Sequence, residues 1–280
     1  MGKIHIVTDS SSDISKEEAL EKDIHIVPLT VNIDGKTYVD GVDIHPKPFL
    51  DMMDQAKELP KSSQPAPGQF AEIYEKLGKD GDEIISIHIA GNLSGTLSSA
   101  QQGAQIANAK VTVFDSQFIA SALAIQVREA VRMREVGASV HDIIERLKEV
   151  RANTKMYIYL DTLTNLVKGG RIGKGKALLG SLLNIKPIAI LEQGEYLPVA
   201  KVRSYSQVVK YMFKEYKKHI TGKQVKSICI SHAGEMENVG APLKELIEQS
   251  GFCDIEVTVT SPIVSTHVGR GAIALVFFAE

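Results

Sequence analysis

The sequence predicts an α/β fold of two domains, and three observations support this. The chain has 280 residues, of which 44% are hydrophobic and 24% charged, so it is long enough for two globular domains. In its first half, apolar runs alternate with helical patterns, which predicts a parallel, Rossmann-like sheet with helices on both faces. Near Asn153 a second set of strands begins, which predicts a C-terminal mixed α/β domain. We expect domains over residues 1–152 and 153–280, with a ligand cleft between them.

The N-terminal domain contains four apolar segments with the character of strands, over residues 3–7, 24–31, 84–89 and 110–114. Helices are predicted after a capping-box pattern at Ser15 and over residues 98–109, 120–136 and 140–150. Residues 60–67 contain three prolines, which favour an extended loop between these elements.

The C-terminal domain is predicted to contain six strands, over residues 156–160, 187–191, 196–202, 225–231, 255–260 and 272–278. The second and third of them form a hairpin that turns at Gln193-Gly194-Glu195. A basic tract over residues 201–218 surrounds a helix, which we interpret as a solvated helix face, with an acidic protein partner as the alternative.

Hydroxyl and carboxylate residues follow three strands of the predicted parallel sheet. The carboxyl ends of such strands meet at one edge, where ligands bind. The candidates for the rim of a ligand cleft are Thr8, Asp9, Ser10, Ser63, Gly95, Thr96 and Ser116.

The segment Gly91-Asn92-Leu93-Ser94-Gly95-Thr96 lies where a strand turns into a helix. Unpaired N–H groups and the helix dipole favour an anion at such a turn, so we expect an anionic group to bind at Ser94. The alternative is an ordinary helix N-cap formed by Ser94 or Thr96.

Composition excludes several classes of protein. A net charge of -2 and the lack of aromatic RNA-reading motifs argue against nucleic-acid binding. No apolar run is long enough to span a membrane and the first residues resemble a strand, so we expect a cytoplasmic protein. Cys229 and Cys253 lack metal-site spacing and no histidine cluster is apparent, so no metal is expected. His5, His25 and His88 are predicted to lie in strands in structural roles.

Two motifs suggest enzymes and both are imperfect. Residues 170–176 match a phosphate-binding P-loop, but Ala177 stands where magnesium coordination needs a hydroxyl, and no strand is predicted before the loop. Ser94 and His267 allow a Ser/His-dependent ester or thioester hydrolase, although the spacing around Ser94 departs from a nucleophile elbow and no acid partner is identifiable.

Short motifs follow one another in a fixed order over nearly the whole chain: Thr8-Asp9-Ser10, Ser62-Ser63-Gln64-Pro65, Leu93-Ser94-Gly95-Thr96, Asp115-Ser116, Lys168-Gly169-Gly170-Arg171-Ile172 and His267-Val268-Gly269. Together they resemble the DegV family of bacterial fatty-acid-binding proteins. The resemblance implies a protein that encloses one long-chain fatty acid between two domains, and it implies no catalytic residue, metal or further cofactor.

The resemblance also implies roles for particular residues. Ser62, Ser94 and His267 would hold the carboxylate of the fatty acid. Arg171 and Arg203 match basic positions near this headgroup or on a surface that faces a partner. That partner would be a separate ATP-dependent fatty acid kinase, which makes an acyl phosphate and so feeds exogenous fatty acids into phospholipid synthesis. The chain would have no integral membrane segment, which is compatible with transient contact with a membrane surface.

Two residues depart from the family pattern. Ser62 stands where the family usually has threonine, which keeps the hydroxyl group. Arg270 stands where proline is usual, so the shape of this turn and its contact with a partner are open.

Overall fold

The computed structural model describes residues 2–79, 81–178 and 185–280. Its strands are β1 (Ile4–Asp9), β2 (Ile24–Val27), β3 (Thr30–Ile33), β4 (Lys36–Val39), β5 (Lys61–Ser63), β6 (Glu83–His88), β7 (Lys110–Asp115), β8 (Thr154–Tyr159), β9 (Lys186–Glu192), β10 (Glu195–Val202), β11 (Val225–His232), β12 (Ile255–Val259) and β13 (Ile273–Ala279). Its α-helices are α1 (Lys16–Glu21), α2 (Pro46–Gln55), α3 (Pro67–Leu77), α4 (Thr96–Ile106), α5 (Ala120–Glu135), α6 (Val140–Asn153), α7 (Thr164–Lys168), α8 (Tyr205–Ile220), α9 (Gly240–Gln249) and α10 (Pro262–Val268). Short 3-10 helices cover Ser10–Ser12 and Gly173–Leu178.

A parallel four-stranded sheet, in the order β2, β1, β6, β7, forms the first half of the fold. Successive side chains of a strand point to opposite faces, so Ile6 packs with α5 and α6 whereas Val7 packs with α3 and α4. Both faces are therefore covered by helices, which explains why these strands are apolar throughout. The prediction of a parallel sheet with helices on both faces is confirmed.

The prediction of a single strand over residues 24–31 is wrong. Strand β2 ends at Val27, and β3 belongs to a separate antiparallel sheet in the order β4, β3, β5. Pro28 interrupts the strand because it has no N–H group for the ladder, and the next N–H, that of Leu29, donates to Ser10 Oγ at 3.1 Å. The small sheet positions Ser62, which pairs with Val31, so part of the proline-rich segment is a strand.

A mixed six-stranded sheet, in the order β10, β9, β8, β13, β11, β12, forms the second half. Only the β11 and β12 pair is parallel in the described part of this sheet. The predicted hairpin joins β9 to β10, and Gln193 and Gly194 have φ angles of 51° and 73°, as a tight two-residue turn requires. Helices α8 and α9 pack on one face of this sheet.

Helix α5 lies between the two large sheets and joins their cores. Its residues Ala122 and Ile125 pack in one cluster with Met156 and Val276 of the second sheet. The chain passes to that sheet after α6, which ends at Asn153. The division into domains over residues 1–152 and 153–280 stays a prediction.

Asp40 is a buried carboxyl group that directly follows β4 and interacts with Ser10, in the loop after β1. It is 3% exposed, and its Oδ2 has no hydrogen-bond partner among the described residues. Burial, supported by the charges of Asp13 and Asp9 and opposed by a hydrogen bond from Ser10, raises the pKa of Asp40 to about 7. The protonated carboxyl therefore stabilises the fold at low pH, and this contribution is lost as the pH rises through 7.

We expect Asp40→Asn to raise the free energy of unfolding at pH 8 by on the order of 1–3 kcal/mol, because the neutral amide cannot ionise in the buried site. At pH 5 the two proteins should differ much less. Urea unfolding at both pH values measures the difference, with the exposed Asp254→Asn as the control. A wild-type protein that loses no more stability between pH 5 and pH 8 than Asp40→Asn would contradict this account.

Candidate functional site

A cavity of about 290 Å³ lies between loops of the parallel sheet and elements of the second half of the chain. Its apolar lining residues are Leu29, Ile89, Leu93, Ile119, Tyr196, Ile263 and Val264. Its polar lining residues are Ser62, Ser63, Gln64, Ser94, Arg171 and His267. We call it the apolar cavity, and its composition suits a ligand with an apolar body and an anionic end.

Ser62 and His267 meet at this cavity although 205 residues separate them in sequence. Ser62 Oγ lies 2.7 Å from His267 Nε2. Strand β5 holds the serine, and the last turn of α10 holds the histidine. A Cβ atom at Gly169 would lie 2.6 Å from His267 Nδ1, so glycine allows the ring to approach the end of α7.

Burial, followed by the nearby charge of Arg171, lowers the pKa of His267 to about 4. The ring is therefore neutral at pH 7. In the Nε2–H tautomer it donates to Ser62 Oγ, and the hydroxyl hydrogen of Ser62 is then available to a ligand oxygen. Ser62 can therefore donate a hydrogen bond to the carboxylate of a ligand while His267 stays uncharged.

Ser94 lines the cavity from the turn that precedes α4. Its Oγ accepts the Thr96 N–H at 3.2 Å and lies 2.9 Å from Thr96 Oγ1. The N-cap residue of α4 is Gly95, so neither Ser94 nor Thr96 is the N-cap, but Ser94 accepts the N–H of the first residue of the helix. A Cβ atom at Gly95 would lie 1.9 Å from Gln64 Oε1, and glycine thus leaves room for Gln64 to reach Ser99 Oγ at 2.8 Å.

Arg171 connects two loops at the wall of the cavity. Its Nε donates to the Leu93 carbonyl at 3.2 Å, and its Nη1 donates to the Gly169 carbonyl at 2.5 Å. Within the described lining of the apolar cavity, it is the only arginine or lysine. Its positive charge can therefore offset a buried carboxylate.

A second cavity of about 580 Å³ shares Ser62, Arg171 and His267 with the apolar cavity. Its other lining residues include the cations Lys57, Lys61 and Lys168, and we call it the lysine cavity. One carboxylate, that of Glu58, also lines it and lies 3.8 Å from Lys61 Nζ. The three shared residues thus stand between an apolar space and a basic one.

A third and narrower cavity, of about 20 Å³, shares Ile119 and Val264 with the apolar cavity. Most of its other lining residues are apolar side chains of the second half, among them Met156 and Val268. Because it shares these two residues, it adjoins the apolar cavity on the side of the six-stranded sheet.

Several residues predicted for the cleft rim do not line the apolar cavity. Thr8, Asp9 and Ser116 are fully buried. Asp9 accepts hydrogen bonds from His88 Nδ1 at 2.9 Å and the Ile89 N–H at 3.0 Å. Burial acts to raise the pKa of Asp9, but hydrogen bonds led by that of His88 outweigh it and hold the pKa below its ordinary value.

The other rim candidates also differ in their placement. Ser10 accepts the Leu29 N–H, Gly95 and Thr96 begin α4, and only Ser63 lines the cavity with Ser62.

Arg203 lies at a different surface from the cavity. It is exposed at the end of β10, where its backbone N–H donates to Gln207 Oε1 at 2.8 Å. It lines a shallow depression with Lys210 and Tyr211. The structure therefore separates Arg203 from Arg171, which lines the apolar cavity.

The P-loop interpretation of residues 170–176 does not agree with the structure. The helix α7 precedes this segment, whereas a P-loop follows a strand. Lys174 Nζ pairs with Glu195 Oε2 at 2.5 Å on β10.

Arg270 joins the turn after α10 to α2. Its Nε donates to Asp54 Oδ2 at 2.6 Å and its Nη2 to Asp51 Oδ1 at 2.9 Å. The glycines on either side, Gly269 and Gly271, have φ angles of 76° and 82°. The residue that departs from the family pattern thus anchors the turn that follows His267.

Sequence reasoning did not predict the apolar residues of the cavity or Gln64 as site residues. Gln64 could have been found, because it lies next to the predicted Ser63. Ile119, Tyr196 and Ile263 carry no such signal, since apolar residues of this kind line any core.

None of the helices in the described residues is long and apolar enough to cross a membrane.

Comparison with known proteins gives consistent matches over the whole length. The DegV family model, described as an uncharacterised protein family, matches residues 3–280. A DegV domain-containing protein of Staphylococcus aureus is 41% identical over 276 residues, which cover 99% of both chains. One of Listeria innocua is 41% identical over 281 residues, which cover 100% of both chains.

Solved structures show the same fold. A DegV family protein from Thermus thermophilus, described by its fatty acid binding, has a TM-score of 0.94 and 29% identity, covering 99% of this chain and 100% of that one. DegV from Bacillus subtilis, a fatty acid binding protein, has a TM-score of 0.89 and 30% identity, with the same coverage. A stearic-acid-binding protein from Eubacterium ventriosum has a TM-score of 0.86 and 26% identity, covering 99% of this chain and 98% of that one. With its family model matched over residues 3–280 and relatives 41% identical along their full length, this chain belongs to the DegV family.

Proposed function

We propose that this chain binds one long-chain fatty acid in the apolar cavity and presents its carboxylate to a separate ATP-dependent fatty acid kinase in the cytoplasm. The kinase would form an acyl phosphate that supplies phospholipid synthesis. The observation that carries the proposal is the position of Ser62, Arg171 and His267, which line both the apolar cavity and the lysine cavity. The tail of the fatty acid would occupy the apolar cavity, and the lysine cavity would admit the phosphate of the kinase's nucleotide.

The energetics assign different tasks to the tail and the headgroup. Burial of about 15 methylenes at about 0.8 kcal/mol each contributes roughly 12 kcal/mol, before the cost of immobilising the ligand. Each hydrogen bond to the carboxylate adds about 1.5–3 kcal/mol. The tail therefore provides most of the affinity, whereas Ser62, Ser94 and Arg171 orient the headgroup. Fatty acid binding by the solved relatives supports this assignment.

The geometry of the site favours a fatty-acid-binding protein over a Ser/His-dependent hydrolase. His267 Nε2 contacts Ser62 rather than Ser94, the serine assigned by the hydrolase interpretation. His267 Nδ1 has no partner in the described part of the chain, so no carboxylate there orients the ring. A histidine with a pKa of about 4 is a weak general base at pH 7.

Native mass spectrometry of the purified protein tests the proposal directly. We expect one fatty acid per chain and no turnover of a chromogenic ester. Ester hydrolysis that disappears in Ser62→Ala or Ser94→Ala would instead establish the hydrolase. A protein that neither retains nor binds a fatty acid would overturn the proposal.

We expect His267→Ala to reduce acyl-phosphate formation more than fatty acid binding, because the tail provides most of the affinity and His267 orients Ser62 at the headgroup. Binding should fall by about 10-fold, because Ser62 without His267 is no longer oriented for its hydrogen bond to the carboxylate. Phosphorylation by the partner kinase and lipid affinity are measured on the same preparations. Equal losses in the two assays would show that His267 is only structural.

A further inference from the structure

A cluster of ligand-type side chains lies in the parallel sheet, away from the apolar cavity. His5 lies on β1 and His25 on the neighbouring β2, where Val7 is the register partner of His25. Asp23 directly precedes β2. One ligand atom from each of these three residues lies within 4.8 Å of the others.

Two nitrogen atoms of this cluster are buried and lack partners. His5 is 8% exposed, and its Nδ1 has no hydrogen-bond partner in the described structure. His25 Nε2 is likewise buried and has no hydrogen-bond partner in residues 2–79, 81–178 and 185–280. It lies 3.6 Å from Asp23 Oδ1, which is too long for a hydrogen bond. Buried polar atoms without partners are costly, and both nitrogens belong to the three residues whose ligand atoms lie within 4.8 Å of one another, so this cluster is suited to binding a ligand.

Neighbouring groups already orient the cluster. Asp82 Oδ2 lies 3.2 Å from His5 Nε2, which directs the other ring nitrogen away from this carboxylate. A carboxylate on the outer nitrogen is the usual support of a metal-bound histidine. The backbone N–H of Lys3 donates to Asp82 Oδ1 at 2.7 Å, and Lys3 Nζ holds Asp23 Oδ2 at 2.7 Å, so Oδ1 remains for a ligand.

We propose that His5 Nδ1, His25 Nε2 and Asp23 Oδ1 bind a divalent cation of the zinc class. Two imidazoles and one carboxylate form a common three-residue zinc set, with water at the fourth position. Tetrahedral zinc with bonds of about 2.0–2.1 Å separates its ligand atoms by about 3.3 Å. The distance of 3.6 Å between His25 Nε2 and Asp23 Oδ1 is close to this value. Sequence spacing does not mark this cluster, because strand pairing brings the two histidines together.

The proposal is tested by calorimetric titration of the full-length chain with Zn²⁺ after treatment with a chelator. All variants carry Cys253→Ser, since the exposed thiol is itself a zinc ligand. We expect one equivalent of zinc to bind, and we expect His25→Gln and Asp23→Asn each to weaken binding at least 10-fold. Asp82→Asn should weaken it by about 10- to 100-fold through the orientation of His5. The exposed His141→Gln is the matched control and should bind as tightly as the parent.

Thermal unfolding without metal verifies that each variant is folded. Addition of zinc should raise the melting temperature of the parent and of His141→Gln, but not that of His25→Gln. A parent protein with no saturable zinc binding would overturn the proposal, as would zinc affinity equal to the parent's in both His25→Gln and Asp23→Asn. Fatty acid binding should persist in all these variants, so the result is independent of the proposed lipid function.

Discussion

Replacing Val264 with tryptophan is expected to lower the affinity for a long-chain fatty acid about 100-fold or more. Val264 lines both the apolar cavity and the narrow cavity behind it. An indole ring at this position would exclude several methylenes of the tail. Loss of about four buried methylenes costs about 3 kcal/mol, which corresponds to roughly 100- to 200-fold in the dissociation constant. Titration with a fluorescent fatty acid measures the affinity.

Two further variants separate blockage of the cavity from damage to the fold. Leu93→Trp introduces the same ring from the turn before α4, at a partly buried position, and should also reduce binding. Val257→Trp, at a valine of β12 that is 42% exposed, should bind as the wild type does. Wild-type affinity in a folded Val264→Trp protein would place the tail outside the apolar cavity.

Replacing Arg171 with glutamine is expected to weaken fatty acid binding by about 10- to 100-fold, because the carboxylate loses a charge-assisted partner. The effect should be specific for the charge of the ligand. The affinity for a long-chain alcohol of the same length should change little, since its headgroup is neutral. Competition of the acid and the alcohol against one fluorescent probe gives both values for each variant.

Arg203→Gln is the matched control for charge, because Arg203 lies at a separate surface and its loss should leave lipid binding unchanged. Arg171→Lys keeps the charge but not the planar fork that reaches the Leu93 and Gly169 carbonyls, so we expect an intermediate affinity. Equal loss of acid and alcohol binding in Arg171→Gln would mean that Arg171 only holds the loops.

Elements whose signals are local could be predicted from the sequence. Ser15 caps α1 as its capping pattern predicts, because the Glu18 N–H donates to its hydroxyl. The hairpin turn at Gln193 and Gly194 was also predicted correctly. Both residues have positive φ angles, which a tight turn requires and which glycine adopts readily. Helix α4 begins at Thr96, two residues before the predicted start, and its N-cap residue is Gly95. A difference of this size is usual for helix ends.

Local sequence signals did not predict features that depend on strand pairing or on burial. The apolar character of residues 24–31 is that of a strand throughout, but Pro28 and the contact of Leu29 with Ser10 divide it between two sheets. Asp9 ends β1 and Ser116 directly follows β7, as rim residues should, yet both are fully buried. Asp9 accepts a hydrogen bond from His88 at the end of β6, and Ser116 donates to the Phe118 carbonyl of its own loop. Polarity predicts that a side chain needs partners, and it does not reveal whether these are ligands or the protein itself.

By itself, the sequence determined the α/β class, the order of most elements, and the polar residues Ser62, Ser94 and His267 as candidates. Only the tertiary structure decided which of them meet. It pairs His267 with Ser62 rather than Ser94, places Arg171 in the cavity and Arg203 outside it, and brings His5 and His25 close together on neighbouring strands. The physical reason is that helix caps and turns depend on neighbours in sequence, whereas a binding site depends on contacts that form when distant segments pack together.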